Sequence, residues 1–125
     1  MSYKILICED NEKNRRLMKD LLEYHGYEVY LAENGQEGIE LAKKVMPDLI
    51  LMDMQMPVMD GFEAVKKIKE DHQIRRIKVI AVTSFAMPGD KERVIKAGAD
   101  YYIAKPIDTR RLPEIIKMVI EGEKP

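Results

Sequence analysis

Short apolar runs separated by amphipathic stretches divide the chain into a regular alternation. Lys4–Cys8, KILIC, has the unbroken apolar character of a strand buried on both faces, and so does Leu49–Met52 within the strand predicted over Asp48–Asp53. Lys78–Thr83, KVIAVT, repeats that character; Tyr27–Ala32, YEVYLA, alternates more loosely, and Asp100–Ala104 supplies a last strand. Between these runs apolar residues recur at helical spacing. Leu17, Met18, Leu21 and Leu22 follow an N-cap at Asn11, and Ile39, Leu41, Ala42 and Val45 follow one at Asn34. Gly26 and Pro47 end those two helices. After a turn at Met56-Pro57 and Met59-Asp60-Gly61, a third helix runs from about Phe62 to Glu70 with Phe62, Val65 and Ile68 inward. A fourth is predicted with Pro88 in its first turn, running to about Ala97 and closed by Gly98. A fifth starts near Leu112–Pro113, after a turn at Asp108–Arg111, and carries Ile115, Ile116, Val119 and Ile120; Glu121–Pro125 is expected to fray.

Strands that alternate with helices make βαβ units with right-handed crossovers, hence a parallel sheet covered on both faces. The predicted fold is α/β: a doubly wound five-stranded parallel sheet, (βα)5, of the flavodoxin-like kind with helices on both faces. A length of 125 residues fits one domain over 1–125, with no internal repeat or linker and no output domain.

This arrangement changes how the polar residues read. All strands point the same way, so their carboxyl ends share one edge, where open α/β sheets bind ligands. Glu9 and Asp10 end the first strand, Asp53 the third, Thr83 the fourth and Lys105 the fifth. Each follows an apolar run directly, and together they converge on one crevice.

Composition narrows the chemistry. Lys and Arg number 21 against 22 Asp and Glu, a net charge of −1, which gives no global footprint for nucleic acid. The apolar runs are of strand length, so neither a membrane-spanning helix nor a leader is expected. Cys8 is the single cysteine and lies in an apolar run, so it reads as a small buried hydrophobe in a reducing, cytoplasmic protein. Glu9, Asp10 and Asp53 bring three negative charges together, and each close pair repels by roughly 4 kcal/mol at an effective dielectric of ~20. Carboxylates with a backbone carbonyl and water suit Mg²⁺ (or Mn²⁺). An Asp in such a site can attack phosphorus and form an aspartyl-phosphate, a step of positioning and charge stabilisation in which Lys105 and Thr83 would meet phosphoryl oxygens.

With those residues assembled, the sequence resembles a response-regulator receiver domain of two-component signalling. The resemblance spans nearly the whole chain and is carried by Glu9-Asp10-Asn11, by Asp53 in D-M-Q-M-P-x-M-D-G, by Ala81-Val82-Thr83-Ser84 and by Lys105-Pro106. It implies that Asp53 accepts a phosphoryl group from the phosphohistidine of a sensor histidine kinase or phosphotransfer protein. It also implies that Asp10, Asp53 and the Gln55 carbonyl bind the metal, with Glu9 acting through water, and that the Lys105–Pro106 peptide is cis. Tyr102 matches the switch aromatic that follows Thr83 and repacks the surface of the fourth helix, fifth strand and fifth helix for a downstream protein. Gln55 and Phe85 occupy positions that tune loss of the phosphoryl group. Finer wording resembles stand-alone receivers of the cell-division (DivK-like) type and receivers of hybrid kinases.

Other residues have plainer readings. His25 and His72 are expected on the surface. Arg15, Arg16 and Lys19 form either a solvated helix face or part of a kinase-docking surface. Met52, Met54, Met56 and Met59 serve pliable packing. The chain is therefore expected to be a phospho-accepting switch rather than an enzyme with an external substrate, a monomer or weak phosphorylation-dependent dimer, with no nucleic acid or membrane as direct partner. A phosphorelay intermediate, or a receiver cut from a longer hybrid protein, is the alternative. A phosphatase with a D-x-D pair is disfavoured by Gln55.

Overall fold

A computed structural model describes residues 2–56, 58–84 and 88–125; Pro57 of the expected turn and Phe85 lie outside the described residues. The apolar runs become strands β1 (Lys4–Cys8), β2 (Glu28–Ala32), β3 (Leu49–Asp53), β4 (Lys78–Thr83) and β5 (Tyr101–Ala104). The amphipathic stretches become α1 (Glu12–Tyr24), α2 (Gly35–Val45), α3 (Gly61–Glu70), α4 (Asp90–Ala97) and α5 (Leu112–Ile120). All strand pairings are parallel, in the order β2-β1-β3-β4-β5.

Alternation along the strands sorts the core into two layers. Leu6, Cys8, Ile50, Met52, Val79 and Ala81 face one side, where Ile39 and Ala42 of α2, Val65 and Ile68 of α3 and Val94 of α4 cover them. Ile5, Ile7, Leu49, Leu51, Ile80 and Val82 face the other, under Met18 and Leu22 of α1 and Leu112, Ile116 and Val119 of α5. The central strands are buried on both faces, which is why their sequences are apolar throughout. Each fully buried Ile or Leu contributes roughly 1.5–3 kcal/mol of transfer free energy.

Local chemistry sets the helix starts. Asn11, Asn34 and Asp60 cap α1, α2 and α3, each side chain accepting from the backbone N–H three residues on. Two expectations need correction, at Pro88 and at the tail. Pro88 is not in the first turn of α4: Gly89 caps that helix at φ 87°, and a left-handed cap stops the helix from reaching back to Pro88. Leu17 is 58% exposed, since the buried stripe of α1 runs through residues 15, 18 and 22 and leaves residue 17 on its shoulder. Beyond α5, residues 121 and 123 are held: the Tyr3 hydroxyl donates to Glu121 at 3.0 Å, and Glu123 N to Met118 O at 2.8 Å.

Candidate functional site

The chain leaves β1 for β2 on one side of the sheet and returns to β3 on the other, so the carboxyl ends of β1 and β3 border the crevice between the connections. Glu9 continues β1 and Asp53 closes β3; both are buried. Lys105 follows β5 and is tied to β4 by its backbone N–H, which donates to Thr83 O at 2.9 Å. The Lys105–Pro106 peptide is cis.

Asp53 stands at the centre. Its Oδ1 accepts from Lys105 Nζ at 2.9 Å and from the Gln55 backbone N–H at 3.0 Å. One carboxylate oxygen each of Glu9, Asp10 and Asp53 can be chosen so that all lie within 4.8 Å of one another. Glu9 Oε1 accepts from Asn14 Nδ2 at 3.1 Å, whereas its buried Oε2 has no hydrogen-bond partner among the described residues. Burial above all, and then the neighbouring Asp53 carboxyl, push the Glu9 carboxyl up to about 7, against the opposing pull of Asn14 and Lys105. An orphaned buried oxygen beside two further carboxylates is a donor set of hard oxygens, and it fits a small divalent cation such as Mg²⁺ or Mn²⁺.

The floor of the site depends on a missing side chain. A Cβ on Gly61 would lie 2.6 Å from Asp53 O and from Met54 Cα, so the start of α3 can approach the end of β3 only as glycine. Met52, Met54, Met56 and Met59 are all buried around this approach. Thr83 is fully buried, and its Oγ1 accepts from Gln55 Nε2 at 3.3 Å. Tyr102 pairs in register with Ala81, two residues before Thr83, and packs half-buried against the α2–α4 side. Lys91 Nζ lies 5.6 Å from the centroid of the Tyr102 ring.

A cleft of about 500 Å³ opens from Glu9, Asp53 and Lys105 along α1. Its walls include Asn14, Leu17, Met18, Pro106 and Ile107. Leu17, exposed for its helix, thus lines the same cleft as Asp53. Of the basic residues on α1, Arg16 is exposed and Lys19 half-buried, but Arg15 is buried at 8% exposure and does not belong to a solvated face. Its Nη1 donates to Glu9 O at 2.8 Å and Asp10 O at 3.0 Å, and its Nη2 to Glu33 Oε1 at 3.2 Å. The sequence held a signal for this: residue 15 is in phase with Met18 and Leu22 on the buried stripe. His25 and His72 are exposed, away from the cluster. Cys8 is buried, and burial pushes its thiol up to about 12, so it is inert packing.

Comparison with known proteins places this geometry. The family model described as the response regulator receiver domain matches residues 5–117. Polar-differentiation response regulators named DivK from Brucella anthropi and Brucella ovis are 49% and 48% identical over 117 residues, covering 94% of this chain and 95% of theirs. The receiver domain of a signal transduction histidine kinase from Syntrophus aciditrophicus superposes with a TM-score of 0.91 at 34% identity, covering 98% of this chain and 93% of that one. The receiver domain of a sensor histidine kinase from Pseudomonas aeruginosa, which has a magnesium ion coordinated in its active-site cleft, gives 0.88 at 35% identity over 97% of this chain and 99% of that one.

Proposed function

The chain belongs to the response regulator receiver family, and from that premise we propose that it is a phosphorylation switch whose acceptor is Asp53. The observation that carries this reading is the Asp53 carboxylate at the end of β3, bonded to Lys105 at 2.9 Å and gathered with Glu9 and Asp10 within 4.8 Å. In the transfer, an Asp53 carboxylate oxygen forms a bond to phosphorus as the P–N bond of a donor phosphohistidine breaks and the imidazole leaves. Lys105 presents a compact positive charge to the phosphoryl oxygens, and the Thr83 hydroxyl donates to another. Glu9, Asp10, Asp53 and the Gln55 carbonyl would hold the cation, Glu9 through water. When bound, Mg²⁺ supplies positive charge that offsets the acid cluster and the phosphoryl oxygens. The Gln55 side chain, now on Thr83, tunes the later loss of the phosphoryl group, together with Phe85.

Output follows from the same side chains. Thr83 turns toward the phosphoryl group and Tyr102, on the same face of the sheet, rotates inward behind it, repacking the surface of α4, β5 and α5. A shallow cleft of about 280 Å³ between β5 and the start of α5, lined by Tyr101, Tyr102, Ile107 and Arg111, lies on that surface and offers a partner protein a foothold. The protein acts in the cytoplasm as a stand-alone receiver, phosphorylated by a sensor histidine kinase or phosphotransfer protein, and as a monomer or weak phosphorylation-dependent dimer. The DivK relatives, whose length the chain nearly spans, support that reading. A relay intermediate is the second reading, favoured by the histidine-kinase receivers among the structural neighbours.

Incubation with Mg²⁺ and acetyl phosphate or phosphoramidate, followed by intact-mass measurement, tests the acceptor. One phosphoryl mass is expected, absent from Asp53→Asn and from an EDTA control. A folded protein that gains no mass with any donor refutes the acceptor role. Onward transfer to a partner histidine would favour the relay, and a gain in affinity for a non-kinase protein the switch.

A further inference from the structure

We propose that Arg15 is the positioning residue of the metal site, a buried guanidinium clamp that aims Glu9 and Asp10 at Asp53. The inference rests on the acid cluster being a metal site, and it assigns a task to a side chain that touches neither cation nor phosphoryl group. Arg15 lies in α1, and one nitrogen of its fork, Nη1, donates to two successive carbonyls, Glu9 O at 2.8 Å and Asp10 O at 3.0 Å. Those carbonyls define the peptide planes on either side of Asp10, so fixing them fixes where the Glu9 and Asp10 side chains leave the backbone. The second nitrogen, Nη2, reaches Glu33 Oε1 at 3.2 Å on the loop after β2. Glu9 is held by two further bonds: its backbone N–H donates to Ala32 O at 3.1 Å, and its Oε1 accepts from Asn14 Nδ2 at 3.1 Å.

Two effects of Arg15 on a bound cation oppose each other. A positive charge behind the acid pair repels a cation, whereas a fixed backbone keeps like-charged carboxylates converged that would otherwise swing apart. Glu33 already pairs with the guanidinium at 3.2 Å, which offsets part of its field at the site. Positioning therefore outweighs repulsion, and loss of Arg15 weakens metal binding. Groups that orient metal ligands typically change affinity 10–100-fold when removed.

The test is Mn²⁺ binding, followed by electron paramagnetic resonance of free Mn²⁺, on the wild type, Arg15→Met, Arg15→Lys and the exposed neighbour control Arg16→Met, each with its urea unfolding curve. Phosphorylation by acetyl phosphate is then titrated with Mg²⁺. The expected result is about a tenfold rise in the Mn²⁺ Kd of Arg15→Met, a smaller rise in Arg15→Lys, whose single nitrogen cannot take both the Nη1 place at the carbonyls and the Nη2 place at Glu33, and no change in Arg16→Met. The half-saturating Mg²⁺ concentration rises more than the rate at saturation falls, a split that a general loss of stability does not produce. If Arg15→Met does not fold, Arg15→Lys decides. Unchanged Kd in the folded Arg15 variants overturns the clamp, and so does tighter binding by Arg15→Met with Arg15→Lys unchanged, the pattern of charge alone. A wild type that takes up no Mn²⁺ overturns the metal site itself and the clamp with it.

Discussion

At the scale of single residues, the loop after Asp53 stores strain in an unusual place. Val58 adopts φ 69° and is 86% exposed, so a β-branched side chain sits in the left-handed region with almost no burial to offset the cost. Such a conformation costs on the order of 1–3 kcal/mol. Val58→Gly removes the steric cost but gives the unfolded chain more freedom, whereas Val58→Asn tolerates the left-handed region without that penalty. Val58→Asn is expected to stabilise by roughly 1 kcal/mol and Val58→Gly by less, read as a rise in the urea midpoint; a lowered midpoint for both refutes the strain. Residue-level legibility in the sequence was uneven for a physical reason. Glu9, Asp53 and Lys105 follow apolar runs whose direction is fixed by the parallel sheet, so their convergence was readable. The charge of Arg15 suggests exposure, on a solvated or a kinase-docking face, although its phase with the buried stripe says otherwise. The contact of Gln55 with Thr83 was not legible, because no periodicity sets the direction of a loop side chain.

At the scale of elements, α2 approaches β1 through a gap that only glycine leaves. A Cβ on Gly38 would lie 2.5 Å from Cys8 Sγ, while the next atoms, Cys8 Cβ and Ala32 Cβ, would be at 3.8 and 3.9 Å. Gly38→Ala alone is therefore expected to destabilise by about 1–3 kcal/mol through overpacking. In a Cys8→Ala background the clash disappears, and the same change becomes neutral or stabilising by up to ~1 kcal/mol, the helix preference of Ala over Gly. A double-mutant cycle by urea unfolding checks this: equal costs of Gly38→Ala in both backgrounds would show that the sulfur does not set the helix–sheet distance. Strand boundaries were legible to within a residue because fully buried strands admit no polar interruption, as in Lys78–Thr83. The start of α4 was not, since its limit is a backbone conformation at Gly89 that overrides the preference of Pro88 for a first turn. Leu17, Met18, Leu21 and Leu22 cannot all face inward on one helix, and the sequence alone does not say which of them faces the cleft.

At the scale of the whole molecule, the strand order that builds the core also forces acids together, so stability and site occupancy become coupled to pH. Glu9 has an ordinary value of 4.5 and is pushed up to about 7 in the fold by burial and by Asp53. Between those values the metal-free folded state holds a proton there that the unfolded chain has released. The unfolded state thus binds fewer protons across this window, and stability must fall as pH rises from about 4.5 to about 7. Each unit of the shift corresponds to ~1.4 kcal/mol, so the loss is at most a few kcal/mol. A cation selects the ionised carboxylate, so the stabilisation conferred by Mg²⁺ grows over the same range and levels off above it. Unfolding curves in EDTA and in excess Mg²⁺ at several pH values, for the wild type and Glu9→Gln, separate this residue from every other titrating group. The wild type minus Glu9→Gln difference should decline with pH in EDTA, and the gain from Mg²⁺ should climb with pH in the wild type more steeply than in the variant. Parallel curves for the two proteins would mean that Glu9 is already ionised well below neutrality, and that the repulsion at the sheet edge is relieved by the Lys105–Asp53 pair instead.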